Sequence, residues 1–548
     1  MFSLKSNPQK KTLLILLTVV SLVMIGVQLV RYQYDGIPLP TSMWSSDDDA
    51  SPQPPQQKDQ DQDDALHPYD FSHNQTHDHS HDEKYLTYLP YSRFSNQRST
   101  LLNAALLAKY LNRTLVVPPM FLGSANGWSP APELYQVLAN MTDDAFQDRC
   151  FDQDENARIE DIVMADDGER VVFGCYNFTT YAMVPWSWAT DLHRLTRSEE
   201  EGGLGINILE RSDMKLTKLQ HDLGLPDDEM YLMQDSTRYQ WHIYDHSVSD
   251  ERNLRYRYEI SLKELDNIQH RLLHFYGIFG YDRLMLHDEY SEEYRLRIEQ
   301  SLIFRHPAIG EASSIILEQL LNGVDKETSD LVPLDPIQAQ EKQEQEKELP
   351  RFVAAHVRAG DGVFLKKLKD RVPEFVHQIW DIMTGNETST DDLIGASNRI
   401  NATLPAHPRQ RPLYPLPKAP YEQRKALSNL GLSERLQECA RRKLMVLYVA
   451  TDAPDPRSNK ELKPIIDAFP CTFFMSDFPP NWRDPVVRVR SPLDPHKDLT
   501  QHLIMFVDAT ICAWAERFIG TRTSTFSNYI KQYRHAIVDE IIEHQGFA

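Results

Sequence analysis

Phe352-Val-Ala-Ala-His-Val-Arg-Ala-Gly-Asp361 reads as the end of a strand and the beginning of a helix. Phe352 to Ala355 make a short apolar, strand-like run, His356, Arg358, Gly360 and Asp361 follow, and a helix-compatible stretch comes next. In an open α/β sheet, ligands bind in the crevice beyond the carboxyl ends of the strands. A guanidinium at that position has the charge and the forked geometry to hold a diphosphate. A surface Arg–Asp pair capping a strand accounts for the same ten residues, so the segment gains meaning only from its company.

The residues downstream repeat the alternation of strand and helix. Lys443 to Ala450 is a continuous apolar run, as buried parallel strands are, and ends in Thr451-Asp452. Thr472-Phe-Phe-Met gives a third strand, and a helix over Leu499–Ala515 leads into a fourth, Arg517-Phe-Ile-Gly520. Upstream, Tyr85 to Pro90 reads as a strand, Tyr91 to Arg98 as a polar turn, and Leu101, Leu102, Ala105, Leu106, Ala108 and Leu111 fall at helical spacing. Leu115-Val-Val then closes a βαβ opening before Pro118-Pro119. The middle of the chain is less regular, with aromatic-rich loops around Tyr181–Trp188 and helices expected over Leu262–Phe275 and Ser313–Leu321.

These patterns predict an α/β protein of two Rossmann-like αβ domains facing across a cleft. The domains are expected at 85–335 and 351–548, joined by a charged, Gln-rich linker at 336–350. A polar, Pro-rich insertion at 384–425 is expected as a surface loop. At 548 residues and 41% hydrophobic composition, the chain has the material for real cores.

The N-terminus bears on the compartment. Residues 1–11 form a short basic tail, and Thr12–Val30 is a nineteen-residue apolar run, about 28 Å long as a helix, close to the thickness of a bilayer core. Lys5, Lys10 and Lys11 precede it, which predicts a cytosolic N-terminus and a lumenal body, a single-pass type II arrangement. A cleaved signal peptide is the alternative, but Arg31-Tyr-Gln-Tyr-Asp offers no small-residue cleavage site. Residues 31–84 follow as an acidic stalk rich in His, Pro and Gln. From Asp35 it carries twelve acidic and two basic residues, the mark of a solvated spacer. His73, His77, His79 and His81 belong to that spacer, with metal binding as the alternative.

Six Asn-x-Thr sequons, at Asn74, Asn112, Asn140, Asn177, Asn386 and Asn401, agree with a lumenal body. So do the five cysteines, for which Cys150–Cys175 and Cys439–Cys471 are plausible pairs, with Cys512 a buried thiol; the connectivity stays open. No Cys-x-x-Cys occurs, which argues against a zinc ribbon or a thioredoxin-type site. The net charge of −22 argues against a nucleic-acid partner, and any anionic ligand needs locally placed arginine.

Three strand-end segments carry the chemistry: Tyr91-Ser-Arg-Phe-Ser-Asn-Gln97, His356-Val-Arg-Ala-Gly-Asp361 and Phe518-Ile-Gly-Thr-Arg-Thr-Ser-Thr-Phe-Ser527. In the third, hydroxyls follow a strand and precede a helix expected from Asn528 to Tyr533, an arrangement suited to an anion or simply to an N-cap. In this order, and with Leu111-Asn-Arg-Thr-Leu-Val-Val-Pro-Pro119 after the first, the segments resemble the GDP-fucose protein O-fucosyltransferase family. The Asn-Gln pair, the His-x-Arg and the Ser-Thr-Phe carry the resemblance, over Tyr85–Pro119, Phe352–Phe364 and Leu444–Arg534.

The resemblance implies a GT-B fold and a membrane-anchored enzyme of the Golgi or endoplasmic reticulum. It also implies inverting transfer of L-fucose from GDP-fucose to a Ser or Thr hydroxyl of a lumenal protein, without a metal or other cofactor. By the same resemblance Arg358 contacts the β-phosphate, and Asn96 faces the sugar and the acceptor hydroxyl. Ser524 and Thr525 hold the phosphates, and His356 takes the nucleotide side. Asp361 orients Arg358 or its loop, Asp508 meets the guanine, and Arg93, Phe94 and Phe526 complete the binding set. The chain departs from the family pattern where Ser92 and Ser95 replace the usual glycines of the first loop, and no general base stands out. A glycan-directed fucosyltransferase and a non-catalytic lumenal binding protein of the same fold are the alternatives.

Overall fold

The computed structural model describes residues 83–123, 127–144, 160–164, 170–174, 180–246, 255–280, 282–322, 352–360, 362–384 and 416–544. The chain divides into two units, Met1–Asp70 and Phe71–Ala548, and all described residues belong to the second. The expected anchor, most of the stalk and the 336–350 linker lie outside the described residues. Among those described, no helix is long and apolar enough to cross a membrane.

Two parallel sheets organise the second unit. The first has five strands: β1 (Tyr85–Tyr88), β2 (Thr114–Val117), β3 (Ile208–Glu210), β4 (Met230–Met233) and β5 (Leu272–Phe275), in the order β3-β2-β1-β5-β4. The second has four: β6 (Val353–Val357), β7 (Leu447–Thr451), β8 (Thr472–Phe473) and β9 (Arg517–Gly520), in the order β8-β7-β6-β9. Every pairing within each sheet is parallel. In both sheets the strand order reverses beside the first strand of the set, between β1 and β5 and between β6 and β9. Such reversals open a crevice at the carboxyl edge.

The mixed α/β class expected from the sequence is therefore present. β1, β2 and β6 are buried along their whole length, the continuous apolar pattern of strands covered on both faces. In β6 the alternation of side chains divides the work. Val353, Ala355 and Val357 pack with Leu368, Val372, Phe375 and Ile379 of the helix α4, Gly362–Thr384. Ala354 faces the opposite core with Tyr448, Phe506 and Tyr529.

That opposite core is continuous with the core of the first sheet. Its junction is Phe94, the first residue of α1 (Phe94–Tyr110), whose ring lies 4.7 Å from Phe506, 5.1 Å from Tyr529 and 5.9 Å from Phe304. Phe304 connects α2 (Ser291–Ser301) to α3 (Pro307–Asn322), Phe506 lies in α5 (Thr500–Ala513), and Tyr529 in α6 (Thr525–His544). Next to this aromatic group, Arg98 donates to Leu302 O (2.9 Å), to Glu299 O (2.6 Å) and to Gln532 Oε1. Gln532 Nε2 in turn donates to Glu299 Oε1 at 2.5 Å, so one polar network crosses the same junction.

Several sequence expectations are corrected here. Tyr91–Arg98 is not a turn throughout, because the helix already begins at Phe94 and buries Ser95, Gln97, Arg98, Ser99 and Thr100. Polar residues on a buried helix face hide it from any hydrophobic periodicity. Leu262–Phe275 is not one helix: Leu262–Asp266 is helical and Leu272–Phe275 is the inner strand β5. A four-residue run such as Leu272-Leu-His-Phe275 fits either state, and parallel neighbours on both sides decide it. The helix expected over Asn528–Tyr533 runs from Thr525 to His544. At the far end of the expected 384–425 surface loop, Tyr421–Ser428 is a helix, while 385–415 lie outside the described residues.

Cys439 and Cys471 form a disulfide, and Cys512 is a buried thiol. Cys150 and Cys175 lie outside the described residues.

Candidate active site

The crevice between β6 and β9 brings two of the three sequence segments together. His356 and Gly520 are register partners at the ends of these strands. Thr521 follows β9 and ties the two loops: its N–H and its Oγ1 both donate to His356 O (3.0 and 2.8 Å), and Arg358 N donates to Thr521 Oγ1 at 2.8 Å. Gly520 allows the close approach, since a Cβ there would meet Ser527 Cβ at 2.7 Å.

Arg358 is held by a carboxylate from the neighbouring strand. Its Nε lies 3.1 Å from Asp452 Oδ2. Oδ1 of the same carboxylate accepts Ala359 N (2.6 Å) and Gly360 N (2.9 Å). A Cβ at position 360 would sit 2.8 Å from Asp452 Oδ2, so the loop needs glycine there to wrap the carboxylate. The guanidinium also lies 5.7 Å from the centre of the Phe364 ring, which Arg371 approaches to 4.9 Å.

His356 is buried, and its Nδ1 shares a 2.6 Å hydrogen bond with Ser527 Oγ. Burial pushes the imidazole down to about 4; Asp452 opposes that shift and Arg358 adds to it. The ring is therefore neutral near pH 7, and it meets Phe526 edge-on at 5.2 Å. Ser524 caps α6, accepting Ser527 N on Oγ at 3.3 Å, and Thr525 is the first residue of that helix. Thr523, just before the cap, has φ of +68°. A β-branched residue rarely adopts that conformation, and such strain concentrates at ligand-binding turns. The N–H groups at the start of α6 and Arg358 thus edge one crevice, an arrangement suited to a polyanion.

The first segment leaves the carboxyl end of β1. Ser92 also has φ of +68°, and its Oγ accepts Asn96 Nδ2 at 2.6 Å. Asn96 Oδ1 has no hydrogen-bond partner among the described residues. Gln97 clamps the loop in place: Nε2 donates to Ser92 O (2.8 Å) and Phe121 O (2.7 Å), and Oε1 accepts Phe121 N (2.9 Å). The Asn-Gln pair therefore splits into one side chain that fixes the loop and one with an open acceptor.

The remaining site expectations fall as follows. Arg93 is exposed at the start of α1, whereas Phe94 is 2% exposed inside the aromatic core. Phe526 is buried against His356 and Tyr529. Asp508 lies within α5 and accepts Tyr448 Oη at 2.5 Å, level with the second residue of β7 rather than at the carboxyl edge. Burial raises its carboxyl to about 7, opposed by the Tyr448 hydroxyl.

Asp361 lies outside the described residues; among the described residues a carboxylate that meets Arg358 is Asp452. Its signal was the Thr451-Asp452 strand end. Among the sequons, Asn112 is exposed and Asn140 buries its Nδ2, while Asn74, Asn177, Asn386 and Asn401 lie outside the described residues. Among the described residues no group of three or more His, Cys, Asp or Glu is arranged to hold a metal ion.

No family model matches the chain. A stretch of 57 residues is 55% identical to O-fucosyltransferase 30 of Arabidopsis thaliana, 10% of this chain and 11% of that protein. The chain thus matches about a ninth of the length of that curated relative. Crystal structures of POFUT1 in complex with GDP and with GDP-fucose overlap 83% of this chain and 96% of theirs. Their identities are 13% and 12%, with TM-scores of 0.32 and 0.31. The resemblance to the O-fucosyltransferases carried by the motifs thus has a named counterpart over a short stretch of sequence.

Proposed function

We propose that this chain transfers L-fucose from GDP-fucose to a hydroxyl, with inversion at the sugar carbon. The observation that carries the reading is Arg358 at the crevice where the order of the second sheet reverses. It is fixed there by Asp452 and by the Thr521 hydroxyl, beside the N-terminus of α6. In this reading Arg358 takes the β-phosphate and stabilises the charge that grows on GDP as the sugar departs. The Ser524 and Thr525 turn receives the other phosphate oxygens. His356, neutral and fixed through Ser527, borders the nucleotide. Asn96 turns its open amide oxygen to the sugar or to the acceptor hydroxyl.

The serine at position 92 fits an active site rather than a lost one. A glycine there would relax the backbone, but it would remove the oxygen that orients Asn96. Arg93 and Phe526 border the pocket in this reading, and Phe94 supports it from beneath. Asp361 and Asp508 would act on the loop and the base. The acceptor is a Ser or Thr hydroxyl of a lumenal protein, and the enzyme is a membrane-anchored resident of the Golgi or endoplasmic reticulum that uses no metal.

Calorimetry on the full chain with GDP, GDP-fucose, GDP-mannose and UDP-glucose tests the donor. Binding of GDP and GDP-fucose, with no binding of UDP-glucose, is expected. A preference for UDP-glucose would contradict the reading.

A further inference from the structure

A two-stranded antiparallel ribbon, Met120–Gly123 with Tyr181–Val184, carries Phe121 and Met183 as register partners. The N–H and C=O groups of these two residues point away from each other, as in the non-hydrogen-bonded pairs of an antiparallel ladder. Side chains take them on both edges. On the Phe121 edge, Gln97 Oε1 accepts Phe121 N at 2.9 Å and Gln97 Nε2 donates to Phe121 O at 2.7 Å. On the Met183 edge, Asp494 Oδ2 accepts Met183 N at 3.3 Å and Ser491 Oγ donates to Met183 O. Each edge is thus bound by side chains that stand in for a third strand.

Ser491 and Asp494 lie between β8 and α5, in the part of the chain that builds the second sheet. Both are buried, and so is Lys497, whose Nζ stands 3.0 Å from Asp494 Oδ2, the same oxygen that accepts Met183 N. That Nζ also lies 3.7 Å from the centre of the Tyr181 ring, so the ion pair covers the ribbon beside Met183. Leu493 packs against the apolar cluster that holds Tyr91, Phe121 and Met183. At the end of the ribbon, a Cβ at position 123 would come within 2.5 Å of the ring of His502, in the first turn of α5. The same helix carries Phe506, which meets Phe94. Two routes therefore run from the second-sheet part of the chain to the loop of Ser92 and Asn96. One is Phe506 on Phe94, and the other passes from Ser491 and Asp494 through Met183 and Phe121 to Gln97.

Resting on the fucosyl-transfer reading, we infer that Ser491 and Asp494 are positioning residues for Asn96. They fix the ribbon from the part of the chain that carries Arg358, and the ribbon, through Gln97, fixes the loop that carries Asn96. Lys497 holds the Asp494 carboxylate in place for Met183 N. The carbonyl and amide of one residue, Met183, thereby register the Asn96 loop against the second-sheet part of the chain. Neither Ser491 nor Asp494 touches the donor in this assignment, so their loss acts on turnover and leaves nucleotide affinity alone.

The test measures release of GDP from GDP-fucose, GDP binding by calorimetry and a thermal melt on the full chain, for wild type, Ser491→Ala, Gln97→Ala and the double variant. Ser491→Ala is expected to lower kcat by about 10–100-fold, the cost of a misplacement on the order of 1 Å, with GDP affinity unchanged. In the Gln97→Ala background the grip on Phe121 is already gone, so Ser491→Ala should add no further loss in kcat. A folded Ser491→Ala protein with the wild-type kcat overturns the assignment. An equal loss in both backgrounds overturns it too, because a serine that only stabilises the fold acts independently of Gln97. If Ser491→Ala fails to fold, Ser491→Cys, which keeps the volume and weakens the donor, decides by the same two comparisons. A wild type that turns over while kcat ignores position 491 sinks this assignment alone. A wild type that binds GDP yet never releases it from GDP-fucose overturns the transfer reading, and this assignment with it.

Discussion

Arg358 and Asp452 form an ion pair at 3.1 Å, and the second oxygen of that carboxylate holds the amides of Ala359 and Gly360. One side chain therefore sets both the direction of the guanidinium and the shape of its loop. The two functions separate chemically, because an amide oxygen still accepts from backbone N–H groups but carries no charge for an arginine.

Asp452→Asn is accordingly expected to keep the fold, with a melting temperature close to wild type. Turnover of GDP-fucose should fall by about 10–100-fold, the cost of a mispositioned charge in the transition state. Steady-state kinetics beside a thermal melt check both halves. An unchanged kcat/KM would show that Asp452 does not position Arg358 for chemistry.

Phe94 belonged to the binding set by resemblance, but its ring is enclosed by Phe304, Phe506 and Tyr529. Phe94→Ala should destabilise the protein by about 3–5 kcal/mol, the usual effect of emptying an aromatic core position. Denaturant unfolding measures it. A loss below about 1 kcal/mol with weakened donor binding would return Phe94 to the site.

Ser92 combines a left-handed backbone with a side-chain contact to Asn96. Ser92→Gly should leave stability equal or up to about 1 kcal/mol higher, since glycine adopts positive φ without strain. The same change should lower turnover about 10-fold by freeing the Asn96 amide. Stability and activity moving in opposite directions is the signature. A Ser92→Gly variant faster than wild type would show that the serine impairs the site.

Glu299 is buried beside Arg98 and Gln532, and burial raises its carboxyl to about 7. In the folded state it keeps a proton that the unfolded chain gives up in the ordinary carboxylate range. Its contribution to stability is therefore full at low pH and is lost as pH rises through about 7. Glu299→Gln cannot ionise, so its melting temperature relative to wild type should rise between pH 5 and pH 8. Melts at both values check the sign, and a variant melting temperature that falls relative to wild type as pH rises would contradict it.

The second sheet was largely legible in the sequence. Its strands are short apolar runs that end in polar residues, and Val353–Val357, Leu447–Thr451 and Arg517–Gly520 were all visible on that ground. The first sheet was legible only at its βαβ opening. β5 is the four-residue run Leu272-Leu-His-Phe275 inside a stretch with helical spacing, and its parallel neighbours make it a strand. The start of α1 was hidden because its buried face is polar: Gln97 serves the loop, and Arg98 serves the junction with α2 and α6.

The same limit applies to the site. Arg358, His356 and Ser524 lie in recognisable strand-end segments. Asp452 and Thr521 matter because two loops from distant parts of the chain meet beside Arg358, a proximity that no local pattern encodes.

The central claim is that Arg358 stabilises departing GDP, and release of GDP from GDP-fucose by Arg358→Ala beside wild type tests it most directly. The expected result is turnover by the wild type and a loss of at least about 10²–10³-fold in Arg358→Ala at an unchanged melting temperature. A folded Arg358→Ala protein that releases GDP at the wild-type rate would contradict the account.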